Sequence, residues 1–195
     1  IILFTRNKDA ETGRRLYRRR IGFLLAVGFG HAYVLWYGDI LVQYALCGLF
    51  VVSMRDWEPK QLAKTGLLLV SVPVLMSLVQ WLSVPPGSPA LASLTPSEAA
   101  LASEIETYRS GWVGQLDHRA PTAFVLQTGG FISNTLWRLS GLMLLGMALF
   151  KWGILSNQRS TGFYYRLLVG GLVGGLTLTL TGVWYNTAVD WSARE

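Results

Sequence analysis

Three ionisable side chains stand inside or at the edge of apolar stretches: His31, Asp39 and Arg138. An ionisable group in hydrocarbon costs about 2.5 to 3.5 kcal/mol on insertion scales, so it is usually turned inward for a reason. His31 lies about seven residues, or roughly 10 Å of helix, from the Gly38-Asp39 corner. Gln127, Asn134 and Arg138 fall near one helical face and give that segment a polar stripe. A neutral imidazole can take a hydroxyl proton while the oxygen attacks an acyl carbonyl. In that chemistry Asp39 orients the histidine or the acceptor, and Arg138 balances anionic charge on the donor or transition state. Tyr44, Gln127 and Asn134 are the candidate substrate contacts. Each acting group also has a structural alternative. His31 can be a neutral imidazole hydrogen-bonded to a neighbouring helix, Asp39 can cap the helix that follows it, and Arg138 can snorkel to an interface. The Thr177, Thr179 and Thr181 series reads as backbone-satisfied structure.

Other chemistries are missing from the pattern. There is no Walker-type phosphate loop, no glycine-rich dinucleotide fingerprint and no paired-histidine metal motif. His31 and His118 are the only histidines and Cys47 the only cysteine, so neither a disulfide nor a Cys-based metal site can form within the chain. His118, between Asp117 and Arg119, is expected to be a solvated surface residue. The net charge of +6 resides in segments that flank apolar runs, which makes nucleic acid the weaker reading.

The elements that must position these groups are transmembrane helices. Apolar residues make up 51% of the chain and charged ones only 14%, with eight Trp and eight Tyr available to mark interfaces. The expected fold is an all-α polytopic transmembrane bundle of about five spans with a short surface helix. A basic arm, residues 1–20, precedes spans at about 21–37, 40–54, 65–84, 130–150 and 167–185, with an external loop at about 85–120. Pro73 should kink the third span because it supplies no backbone N–H, and Pro85-Pro86-Gly87 should end it. Thr95-Pro96-Ser97-Glu98 has the form of a capping box that opens the surface helix. In that helix Leu101, Ile105, Tyr108 and Trp112 recur at helical spacing. The first apolar run follows twenty mostly polar, basic residues, so no cleavable leader is read.

Orientation follows from Lys and Arg in the loops. Residues 1–20 carry seven, 55–64 three and 151–166 three, while on the alternate side the Gly38-Asp39 corner holds none and the long loop two, Arg109 and Arg119. The basic arm is therefore expected on the cytoplasmic side of a bacterial inner membrane, with the Gly38-Asp39 corner, the surface helix and the C-terminal tail outside. Small-xxx-small ladders at Gly22, Ala26 and Gly30, at Gly170 and Gly174, and at Gly171 and Gly175 suit close helix packing within a bundle, with a homo-oligomer interface as the alternative.

A resemblance rests on particular blocks. Arg19-Arg20, Gly30-His31-Ala32, Leu35-Trp36-Tyr37-Gly38-Asp39-Ile40-Leu41, Tyr44-Ala45 and Gly48-Leu49 resemble the central signature of the YeiB-like family of bacterial multi-pass membrane proteins. Leu144-Leu145-Gly146-Met147-Ala148-Leu149 with Gly153 is a second block, and Tyr108, Gly111 and Arg119 are similar to a looser pattern in the family's external loop. The resemblance implies further helices before and after this stretch, a reading that the opening Ile1-Ile2-Leu3-Phe4 also suggests. It implies a distant similarity to membrane acyltransferases that move an acyl group from a cytoplasmic donor such as acyl-coenzyme A to an external acceptor, often a sugar. Those enzymes use a histidine of the early helices; the same role for His31 is an extension of that pattern. The leading expectation is acyl transfer. The competing one is a transporter or lipid-handling protein in which His31, Asn134 and Arg138 line a polar path. A helical assembly module is a third.

Overall fold

The computed structural model describes residues 10–85 and 97–189, and the architecture is all-α. Helix α1, Ala10–Gly30, continues without a break into a π-helical turn, His31–Leu35. Helix α2 is Leu41–Val52 and α3 is Pro59–Ser83. Beyond residue 97 come α4, Glu98–Arg109, the single turn α5, Gly111–Gly114, and α6, Leu116–Val125. A ten-residue π-helical segment, Leu126–Thr135, leads straight into α7, Leu136–Lys151, and α8 is Thr161–Ala188.

Several boundaries differ from the expected ones for local reasons. The basic run Arg14–Arg20 is the first part of α1 rather than a separate arm, because Arg, Leu and Tyr there are helix-compatible and no breaker intervenes. Helix α3 starts at Pro59, six residues before Thr65. Pro59 occupies the first helical position, where its missing N–H is no loss, and Glu58 and Gln61 form a capping box with Gln61 Oε1 accepting from the Glu58 N–H at 3.1 Å. The chain runs helically through Pro73. Helix α4 is capped by Ser97, whose hydroxyl accepts from the Ala100 N–H at 3.2 Å; the expected cap Thr95, with Pro96, Pro86 and Gly87, lies outside the described residues. The 85–120 stretch thus carries α4, α5 and the start of α6 rather than a plain loop.

Packing centres on α3 against α7, with α2 filling the angle between α7 and α1. Val51, Leu62, Leu144, Met147 and Ala148 are buried together, with Leu69 and Trp152 against them. Lys151 ties the end of α7 to the turn before α3 by donating from Nζ to the Trp57 carbonyl at 2.6 Å. Close approach occurs at glycines other than those of the expected ladders. A Cβ on Gly141 would lie 2.7 Å from the Gly66 carbonyl oxygen, and one on Gly66 would lie 2.9 Å from that of Gly141. Gly28 meets Val42 in the same way, at 2.8 Å from its backbone nitrogen. Gly22, Gly30, Gly170, Gly171, Gly174 and Gly175 face open space.

Two helices, α3 and α8, are long and apolar enough to cross a membrane. Among the described residues only 17% of the most apolar window of α3 and none of that of α8 is buried. Leu67, Leu75, Leu172 and Leu178 are among the large apolar side chains that face outward. A surface of this kind in water marks an interaction face or a membrane.

The Gly66–Gly141 crossing gives a direct expectation. Gly141→Leu drives a side chain into the facing backbone of α3 and should cost at least the roughly 1–3 kcal/mol of ordinary overpacking, whereas Gly174→Leu should stay within about 0.5 kcal/mol. Thermal unfolding in neutral detergent measures both; equal losses would contradict the assigned packing.

Candidate functional site

The π-helical turn at the end of α1 sets the site. Its backbone bonds span five residues, as in Trp36 N–H to the His31 carbonyl at 2.8 Å, and this wider turn ends the helix just where the chain must reverse. Such π turns occur disproportionately at functional positions. Trp36 is extended, and the Gly38-Asp39 corner brings the chain back into α2.

The corner's carboxylate makes two bonds. Asp39 Oδ1 lies 3.0 Å from His31 Nδ1, and Oδ2 accepts the Val42 N–H at 3.0 Å. The Asp39 side chain is wholly buried, while that of His31 is 35% exposed. A carboxylate offers only lone pairs, so the proton in the first contact sits on Nδ1, and in the neutral form of the ring Nε2 keeps its lone pair. Nε2 bonds no described residue, and the ring stands edge-on to Trp36 at 6.3 Å. The one carboxylate thus bonds both the first turn of α2 and the His31 ring.

A second arginine, absent from the sequence-derived site, closes this corner. Arg119 of α6 is only 3% exposed. Its Nη1 donates to the carbonyls of Val34 and of Leu35, the latter at 3.1 Å, and Nη2 donates to that of Trp112 at 2.8 Å. The guanidinium also stacks over the Trp112 ring, 5.5 Å from its centroid. A helix end leaves carbonyls without intrahelical partners and carries partial negative charge, which a buried guanidinium fork satisfies on both counts. His118 is not a solvated surface residue. Its ring is half-buried between Tyr37 and Tyr108, at 6.3 and 5.7 Å, edge to face with each. A hydrogen bond with Tyr37, followed by burial and the nearby Tyr37 and Glu104 charges, pushes the Tyr108 hydroxyl up to about 12, against the opposing pull of Arg119.

The polar stripe does not stay on one face. Gln127 and Asn134 lie in the π-helical segment, whose wider turn breaks the 3.6-residue repeat on which the stripe depends. Gln127 points inward, its Nε2 enclosed without a partner, while Asn134 and Arg138 are exposed and bond no described side chain. Tyr44 is 42% exposed and lines an apolar hollow among α1, α2 and α7. The structure brings His31 and Asp39 together and gives Arg138 no bond to either. Gln43, also overlooked, is buried and donates to the Leu126 carbonyl at 3.4 Å, at the start of the π segment. A polar residue at that point in an apolar helix was its only signal. For Arg119, the signal was its place in the family-like loop pattern. Among the described residues no group of three or more His, Cys, Asp or Glu could hold a metal ion.

Truncating Arg119 should strand three carbonyls, at about 1–3 kcal/mol for a buried unsatisfied acceptor. Arg119→Ala, and to a lesser extent Arg119→Lys, should speed amide hydrogen exchange across residues 116–125; exchange as slow as in the parent protein for both would contradict the cap.

The chain is 31% identical over 186 residues to the uncharacterized protein YeiB of Escherichia coli (strain K12), a match covering 93% of this chain and 47% of that protein. It is 42% identical over 65 residues to the uncharacterized protein YxaH of Bacillus subtilis (strain 168), covering 32% of this chain and 16% of that one. No family model matches, and no solved structure does so significantly. The aligned length reaches across the His31–Asp39 corner, the external-loop helices and α7, and the chain is therefore a homologue of YeiB that spans about half the length of that relative.

Proposed function

We propose that this chain forms part of a multi-pass protein of the bacterial inner membrane that transfers an acyl group to an extracytoplasmic acceptor, with His31 as the acid/base and Asp39 as its positioning partner. The observation that carries the reading is the 3.0 Å contact between His31 Nδ1 and the buried Asp39 carboxylate, which leaves Nε2 unbonded on a partly exposed ring. Nε2 takes the proton of the acceptor hydroxyl as its oxygen attacks the carbonyl carbon of an acyl thioester, such as acyl-coenzyme A, that reaches the site through the bundle from the cytoplasmic side. The C–S bond then breaks, the thiolate takes that proton, and the imidazole is neutral again. Arg138 has no necessary place in this two-residue site.

Topology is part of the same proposal. The outward-facing Phe23, Val27 and Phe29 of α1 suit a lipid-facing helix, and the continuous run from Leu116 to Lys151 is about 54 Å long, more than enough to span hydrocarbon. With α2, α3 and α8 these make about five crossings. The Lys and Arg distribution supports a cytoplasmic start of α1, with the His31–Asp39 corner near the outer face. The bilayer and, for the uncovered α8, further helices of a longer chain or a second copy are the proposed partners.

Membrane vesicles given labelled acyl-coenzyme A test the reading. His31→Ala at normal protein level should lose acyl incorporation by about 100-fold or more. Asp39→Asn should fall less in activity and hold its stability, while Asp39→Ala should also lose about 1 kcal/mol of capping. Unchanged incorporation in His31→Ala removes His31 from the mechanism. Substrate flux without any covalent product in the parent protein would favour transport instead.

A further inference from the structure

Far from His31, at the Arg14 end of the bundle, two hollows adjoin and share one side chain, Tyr17. The first, about 450 Å³, is a groove among α1, α2 and α7 with apolar walls that include Leu24, Gly146 and Phe150. The second, about 400 Å³, is bounded by Arg14 and Arg18 of α1 and by Arg55 and Asp56 after α2. Arg55 Nε is paired with Asp56 Oδ2 at 3.2 Å, whereas Arg14 and Arg18 are exposed and bond no described side chain. The Tyr17 hydroxyl is buried without a hydrogen-bond partner. It fits there because residue 48 is glycine: a Cβ at that position would lie 2.9 Å from the oxygen.

We propose that this pair of hollows binds one anionic phospholipid of the cytoplasmic leaflet, with an acyl chain in the apolar groove, the phosphate among Arg14, Arg18 and Arg55, and the Tyr17 hydroxyl as a donor at the junction. Charge complementarity selects this occupant. Three guanidinium groups face a single carboxylate, and an arginine fork matches phosphate geometry. The basic hollow opens directly beside a groove that water has no reason to fill. A packed helix from a longer chain would satisfy the groove and leave the arginine excess unmatched. Basic residues next to membrane helices attract anionic lipids for the same electrostatic reason. The inference rests on the bilayer placement proposed above and is independent of acyl transfer.

The test uses the purified protein in neutral detergent, with native mass spectrometry counting bound lipid. Phosphatidylglycerol should bind at least tenfold more tightly than phosphatidylcholine with the same chains, and the double variant Arg14→Gln, Arg18→Gln should erase that preference. Gly146→Leu fills the groove without a clash, since nothing lies within 4 Å of a Cβ there. It should weaken binding of both lipids about tenfold and leave the lipid-free melting temperature unchanged. Parent-like binding by these variants overturns the proposal. So does protection by inorganic phosphate equal to that by lipid, which would mean a free-anion site. A Gly146→Cys variant that a lipid-soluble maleimide cannot reach in membranes would also overturn it, because another helix then fills the groove. Release of the protein from membranes without detergent would instead count against the bilayer placement.

Discussion

One carboxylate governs the geometry of this protein's most chemically distinctive corner. Asp39 uses one oxygen to hold the His31 ring at the end of α1 and the other to receive a free N–H, that of Val42, in the first turn of α2. A helix start presents unpaired donors and positive potential, so the same charge that fixes the ring also anchors the returning helix. The reversal can be this tight only because Gly28 lets α1 approach the backbone of Val42. On the opposite side Arg119 covers the exposed carbonyls of the π turn. The histidine therefore sits on two helices that are pinned together above and below it. Its ring is held by the bond to Asp39 and the edge contact with Trp36.

The rest of the bundle obeys a different balance. Helices α3 and α7 meet at facing glycines, and most apolar side chains of α3 and of α8 point away from the protein interior. Hydrophobic burial cannot be the main force between helices whose apolar surfaces stay outside. Close backbone contact and a few polar bridges, such as Lys151 to Trp57 and Gln43 to Leu126, take that role, as expected where lipid is the solvent. Helix α8 is tied to the preceding turn near its start, where the Tyr164 hydroxyl donates to the Ile154 carbonyl at 2.7 Å.

The sequence made the helical class and the His31–Asp39 pair legible, because apolar runs, a glycine corner and an acidic residue before a helix all act locally. It marked Arg119 only as part of a loop pattern and could not reveal its partners Val34 and Leu35, which lie some 85 residues away. Spacing rules also failed wherever the backbone left the 3.6-residue repeat. Gln127 and Asn134 part company in a π-helical segment that no residue pattern announces. The glycine ladders show a related gap: a small residue permits close approach but does not supply the partner, and among the described residues the close approaches are at Gly28, Gly66 and Gly141. The basic run before Ile21 looked like an arm because charge was read ahead of helix propensity.

The imidazole's proton is the most direct probe of the whole account. The chain has only two histidines, so nitrogen-15 labelling of histidine yields two ring systems that His118→Gln separates. At a pH where the ring is neutral, the account predicts that His31 carries its proton on Nδ1, with Nε2 bare, and that Asp39→Asn shifts this signal and not that of His118. A His31 ring protonated on Nε2, or exchanging freely between tautomers and indifferent to Asp39, would contradict it.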